Sequence, residues 1–288
     1  MWGIRRELQA QQSIQDLIAR DEPLSGTLLA ICELTNSMIP SSLSKVMLFD
    51  AESQTLRFAA GNLLPEACQQ DMRALPIGPD EDICCRAAFL KQLVVSEDVR
   101  HDSFSSVSHE FIEQNGLRAC WAYPVLSRER VLLGTFAVFY RVPGPPSRRE
   151  IDLMSRATAL VALAIERDEA RQAHRITQQR YQSLFTCHPD GVFSLDLTGH
   201  VEEVNPAGLA LTGYTRDALL GQHFSRFVVA EDLPRVDEAF RNAVKGKQQQ
   251  YDIRAISADG NIYIVTIINL PITVNEEVVG VYGIARKP

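Results

Sequence analysis

Apolar residues in the first part of the chain recur at helical spacing. Ile4, Leu8, Ile14, Leu17 and Ile18, set among Gln, Arg and Glu, predict a loosely amphipathic helix. Pro23 opens a second one, in which Leu28, Leu29, Ile31, Cys32 and Leu34 fall on one face that must be buried. The period then shortens to that of strands over residues 45–49 and 55–60, with the polar stretch 50–54 as the turn between them. Residues 65–73 and 82–91 read as helices, 93–95 as a short strand, and the polar segment from Asp98 leads into a helix ending near Gly116. Two further strands, 118–126 and 131–140, flank the charged turn at 127–130, and Pro143, Pro145 and Pro146 stop the sheet.

Ser147 is a good N-cap and Glu150 stands at the capping-box position, so a helix is predicted from 148 to about 185 with no Gly or Pro inside it. At 1.5 Å per residue it spans about 55 Å. Ile151, Met154, Thr158, Val161 and Ile165 form a stripe that suits a coiled-coil seam and equally a face packed on the helix's own domain. After it the pattern predicts a hairpin over 191–196 and 200–204, a helix capped by Asn205 with Pro206 in its first turn, and short helical pieces to about Gly246. Three strands close the chain, over 250–256, 262–270 and 277–285, the first two joined through Asp259-Gly260. The expected fold class is α+β: two domains of mixed strands and helices, joined by a long helix. The expected divisions are an N-terminal helix (1–22), a first domain (23–146), the connecting helix (147–185) and a second domain (186–288).

Composition narrows the function. The chain has 288 residues, 45% hydrophobic and 23% charged, with a net charge of −7, which disfavours a phosphate-tracking groove. No apolar run is long enough to span a bilayer and no signal peptide opens the chain, so a cytoplasmic protein without membrane insertion is expected. Six cysteines without a paired CxxC spacing suggest that most are buried thiols and that there is no zinc site.

From Tyr181 onward the chain resembles a PAS domain. The likeness rests on Tyr181-Gln-Ser-Leu-Phe185, Pro189-Asp-Gly-Val-Phe193, Val204-Asn-Pro-Ala207, Leu211-Thr-Gly-Tyr214, Leu219-Leu-Gly221, Asp259-Gly260 and Val278-Val-Gly-Val-Tyr-Gly-Ile-Ala285. Residues from about 23 to 167 resemble a GAF domain of the kind that precedes cyclic-di-GMP enzymes. That likeness rests on Pro23-Leu24, Val46-Met-Leu-Phe-Asp50, Ile83-Cys-Cys-Arg-Ala-Ala88, Val94-Val-Ser-Glu-Asp98, Gly116-Leu-Arg-Ala-Cys-Trp-Ala-Tyr-Pro-Val125 and Leu133-Gly-Thr-Phe-Ala-Val138. The two resemblances imply domains that are each a central antiparallel sheet flanked by helices, and for the PAS domain a five-stranded sheet cupping short helices around a small cavity. Such tandems usually precede GGDEF, EAL or histidine-kinase output domains, whose motifs do not occur in these residues. The resemblance therefore implies the sensory fragment of a longer signalling protein, a cyclic-di-GMP phosphodiesterase or diguanylate cyclase being the expected parent.

The resemblance also supplies candidate sites. A GAF ligand would lie between the sheet and residues 81–109, with Phe104, Arg118, Trp121 and Tyr123 as candidate lining; Asn205, Thr212, Asn269 and Tyr282 are the candidate polar contacts of a PAS cavity, Asn205 doubling as a helix cap. Cys85 and Cys120 stand where related GAF domains carry cysteines, and a helix N-terminus beside Cys84 and Cys85 would favour a thiolate. The GAF-type free methionine sulfoxide reductases place cysteines similarly, but the strand over residues 133–139 lacks the carboxylate that grips their substrate. The motifs do not support haem or flavin, and no metal is expected. The expected function is a sensory and dimerisation module that couples a small-molecule or redox input to a C-terminal output, with no catalysis in this segment. It would act as a homodimer through the N-terminal and connecting helices. The alternatives are a dimerisation scaffold that senses nothing and a free methionine sulfoxide reductase.

Overall fold

Nine residues that alternate little and are buried on both faces, Ser42–Asp50, form the strand (β1) around which the first sheet is built. A computed structural model describes residues 22–61, 74–101, 112–113 and 115–287. The helices expected over 4–20 and 65–73, and most of the segment leading to Gly116, lie outside the described residues. The chain divides into two units, Met1–Ala173 and His174–Pro288, with the boundary inside one helix.

In the first unit, α1 (Leu24–Met38) precedes β1, which pairs with β2 (Thr55–Gly61) on one side and β6 (Leu132–Tyr140) on the other. β3 (Leu75–Pro76), β4 (Val94–Ser96) and β5 (Ala119–Leu126) complete an antiparallel sheet of order β3-β2-β1-β6-β5-β4. The two-residue β3 is too short to leave a period in the sequence. Gly134 lets β6 close on β1, since a Cβ there would stand 2.1 Å from the Met47 carbonyl oxygen. α2 (Ile83–Leu90) covers one face, burying Cys84, Cys85 and Ala88 against Met47, Cys120 and Phe139. α1 and the first half of α3 (Arg148–Thr186) cover the other, burying Leu28 and Ile31 with Met154, Val161 and Ile165 against Val46, Phe136 and Val138. Most of the heptad-like stripe is thus taken up by its own unit; Ile151 stays exposed and the Thr158 hydroxyl donates back to the Met154 carbonyl.

α3 opens with the reciprocal capping box read from sequence: the Ser147 N–H donates to Glu150 Oε2 at 2.8 Å and the Glu150 N–H to Ser147 Oγ at 3.3 Å. Its residues 169–184 are exposed on every side.

The second unit is a sheet of order β8-β7-β11-β10-β9, from β7 (Gly191–Leu195), β8 (Val201–Val204), β9 (Gln249–Ile256), β10 (Ile262–Val274) and β11 (Glu277–Arg286). α4 (Pro206–Thr212), α5 (Arg216–Leu219), 3-10 turns at Phe224–Phe227 and Ala230–Asp232, and α6 (Leu233–Val244) lie between β8 and β9. β10 runs four residues past its expected end. Pro271 interrupts the pattern, yet pairing with β9 has ended at Asn269, so its missing N–H costs no ladder bond. Asn275 and Glu276, both at positive φ, then form a tight two-residue turn into β11 without the Asn-Gly pair that marks such turns in sequence.

Candidate ligand cavity

Within the second unit the sheet curves over its helices and leaves a cavity of about 110 Å³. Period-2 alternation aims one side of each strand into it: Phe193 and Leu195 from β7, Tyr251, Ile253 and Ala255 from β9, Val265, Ile267 and Asn269 from β10, Gly283 and Ala285 from β11. Phe224, Phe227 and Phe240 close it from the helical side, with Leu211 and Thr212 of α4. None of the described residues that line it carries a charge.

Its polar groups come chiefly from two strands. Asn269, 3% exposed, donates from Nδ2 to the Tyr251 hydroxyl at 3.0 Å. Burial pushes the Tyr251 phenol up to about 12, although the N–H it accepts pulls the other way, so it is a neutral O–H. Thr212 also lines the space, but its hydroxyl is committed to the Gly208 carbonyl at 2.8 Å.

Of the other polar residues singled out in this half, Asn205 is a wholly buried clamp. Its Oδ1 accepts from the N–H groups of Val192 (2.9 Å) and Gly208 (2.8 Å), and its Nδ2 donates to the carbonyls of Phe185 (3.1 Å) and Asp190 (3.0 Å). One side chain thus caps α4, fixes β7 and holds the end of α3. Tyr282 alternates with Gly283, so it turns to the opposite face of the sheet; there it donates to Tyr181, whose hydroxyl donates on to Glu203.

The first unit brings together a different set. Lys45 shares a face of β1 with Leu43 and Met47 and is fully buried, its Nζ 5.2 Å from the Phe139 ring centroid. Burial lowers its pKa, and coupling to the acidic groups beside it, Asp82 as well as Cys84, Cys120 and Cys85, outweighs this and shifts it upward. Burial pushes the Cys84 thiol up to about 12, against the pull of Lys45, and pushes Cys85 up as well. At neutral pH these two thiols are uncharged, which leaves the Asp82 carboxylate as the counter-charge to Lys45. Asp82 also accepts the Cys84 N–H at 2.9 Å as the N-cap of α2. A helix N-terminus favours a thiolate by less than this burial opposes it. Cys120 lies in the same core.

Tyr123 packs on the opposite face, beneath α1 and α3, and Trp121 follows it there by alternation, tilted against Tyr140 with 3.9 Å between ring centroids. Trp121 Nε1, Tyr123 Oη and Tyr140 Oη are buried there without hydrogen-bond partners among the described residues. Arg118 pairs with Asp98 at 3.0 Å, and Arg100 and Arg118 together hold the Asp98 carboxyl well below the ordinary carboxylate range. Phe104 lies outside the described residues. Lys45 and Tyr251 were not anticipated as site residues. Alternation along β1 carried the signal for Lys45, because 43, 45 and 47 must face the same way; the hairpin register at Asp259-Gly260, pairing Tyr251 with Ile267, carried it for Tyr251.

Among the described residues no group of three or more His, Cys, Asp or Glu is placed to hold a metal, and no helix is long and apolar enough to cross a membrane. The GAF domain family matches residues 21–166 and the PAS domain family residues 189–286. A methyl sulfide methyltransferase-associated sensor of Methanosarcina acetivorans is 23% identical over 261 residues, 88% of this chain and 26% of that protein, so the chain spans about a quarter of that relative's length. Among solved structures, the PAS domain of a Colwellia psychrerythraea protein is 28% identical, covers 39% of this chain and 97% of its own, and has a TM-score of 0.36. The GAF domain of an Acinetobacter phosphoenolpyruvate-protein phosphotransferase is 18% identical, covers 60% and 98%, and has a TM-score of 0.46.

Proposed function

The chain belongs to the GAF domain family and carries a PAS domain behind its GAF domain, and from that premise we propose that it is the sensory part of a signal-transduction protein, with the PAS cavity as a point of input and α3 as the element that responds. The observation that carries this reading is the clamp at Asn205. It bonds the last turns of α3 through Phe185 and caps α4, whose Leu211 and Thr212 line the cavity. A ligand that shifts α4 therefore acts on the end of the helix through a side chain with no slack. The exposed stretch 169–184 suits such a response. A helix this exposed is only weakly held, so a few kcal/mol of differential binding shifts its population.

In this reading the segment is an input and not a catalyst, and it works as a homodimer through the N-terminal and connecting helices. For the output we propose a cyclic-di-GMP phosphodiesterase or diguanylate cyclase, supported by the likeness of the segments around residues 83–88 and 116–125 to GAF domains of such enzymes. The input step is tested by hydrogen exchange. A Cβ at Gly283 meets Asn269 Oδ1 and Leu195 Cδ1 only at 3.8 and 3.9 Å, so Gly283→Val fills the cavity without a clash at its Cβ. Amides 169–184 are expected to change their exchange rate between wild type and Gly283→Val. Identical exchange in the two proteins refutes the coupling.

A further inference from the structure

Resting on the reading of this cavity as an input site, we propose that it takes a neutral, single-ring aromatic molecule bearing one hydroxyl group, with phenol as the simplest example. Three observations fix the class. The first is size: a cavity of about 110 Å³ falls somewhat below the roughly 150 Å³ of an apolar protein cavity known to accept benzene, so one ring fits with slight expansion and a fused or larger system does not. The second is the wall. Phe193, Phe224, Phe227, Phe240, Tyr251 and Tyr263 all line it, and aromatic rings gain most from a ring they can meet edge-to-face or offset.

The third is the polar pair. Asn269 Nδ2 donates to the Tyr251 oxygen, which leaves the Tyr251 hydroxyl hydrogen and Asn269 Oδ1 without a protein partner among the described residues. Oδ1 points toward Gly283, itself part of the lining, since a Cβ there would lie 3.8 Å from it. One wall of an otherwise apolar space therefore offers a donor and an acceptor side by side. A ligand hydroxyl answers both, donating to Asn269 Oδ1 and accepting from Tyr251 O–H. A carboxylate can only accept, and both it and an ammonium would bring a charge among lining residues that carry none, the exposed Arg235 being the cation felt at Tyr251 from outside the lining. A ring with no polar group would leave the pair unanswered.

The test is titration of the whole chain with phenol, toluene and benzoate by calorimetry, on wild type, Tyr251→Phe and Gly283→Val. Phenol is expected to bind wild type about tenfold more tightly than toluene, the value of one well-made buried hydrogen bond. Benzoate is expected not to bind, and Gly283→Val to bind none of the three. Tyr251→Phe, which keeps the ring, is expected to bring phenol down to the affinity of toluene while leaving toluene unchanged. Should Tyr251→Phe fail to fold, Asn269→Leu is expected to erase the same preference. Equal affinity for phenol and toluene in wild type, or a preference that survives in the variant, overturns the proposed class. No binding of either ring overturns it too. The coupling of cavity to helix is judged separately, by the exchange of amides 169–184 in Gly283→Val, so the ligand class can fall while the sensory reading stands.

Discussion

The two sheets of this protein solve the same packing problem in opposite ways. In the GAF domain both faces of the sheet are covered by helices, and among the described residues a lysine is enclosed near Asp82, among cysteines and Phe139. In the PAS domain one face cups its helices without filling the space, and the side-chain pair Asn269–Tyr251 bonded at its wall is neutral. A core that holds a buried charge is intolerant of change, because the charge must keep its partner. A core that keeps an unfilled apolar volume forgoes packing energy and can recover it from a guest. The contrast places the adaptable element beside the end of α3 and the unyielding one beside its beginning.

The sharpest way to break this comparison is to remove the buried cation. Lys45→Ala leaves the Asp82 carboxylate buried without the charge that faces it, and is expected to cost about 3–5 kcal/mol. Lys45→Met with Asp82→Asn should recover part of that loss in thermal unfolding; no recovery would mean the pair is not what the core depends on. Asn205→Ala comes next. It leaves the buried N–H groups of Val192 and Gly208 without an acceptor and is expected to destabilise the PAS domain by about 2–4 kcal/mol, read as faster exchange confined to residues 185–213.

A matched pair of substitutions sharpens the contrast in packing. Ala137 in the GAF core is fully buried, whereas Ala285 faces the PAS cavity. Ala137→Val is expected to cost about 1–3 kcal/mol by overpacking. Ala285→Val is expected to be neutral or to stabilise by about 1 kcal/mol, because its methyls enter vacant apolar space. Equal costs at the two sites would show the cores to be alike. The smallest effect is electrostatic. The Arg254 guanidinium holds the Asp232 carboxyl at about 2, below the ordinary value of about 3.9. That contribution is complete above about pH 4 and is lost as the pH falls toward 2. Arg254→Ala should flatten the loss of PAS-domain stability in that window, measured by exchange from pH 5 downward.

Much of this was legible in the residues before any fold was known. Ser147 with Glu150, Asn205 with Pro206, and Asp259-Gly260 each act within a few positions, so local chemistry alone fixed where helices start and where one hairpin turns. Strand boundaries were less legible where two rules competed: Pro271 reads as a stop, and only the end of β9 before that point, with β11 still paired on the other side, makes it harmless. The stripe on α3 had two readings, and the sheet beneath it decided for intradomain burial.

The site was less visible still. Sequence placed Asn269 and Thr212 among candidates for the cavity, but the meaning of Asn269 depends on Tyr251, eighteen positions earlier, which the hairpin register brings within hydrogen-bonding distance. Lys45 is the clearer case. Sequence makes it a residue of a β-strand, with a cationic side chain that would ordinarily seek water. Only the helix that carries Asp82 and two cysteines across that face decides that it can remain charged inside. Local patterns encode the conformation of neighbours in the chain. The fate of a buried charge or an unfilled volume depends on what a distant element brings to the same point, and that belongs to the tertiary structure.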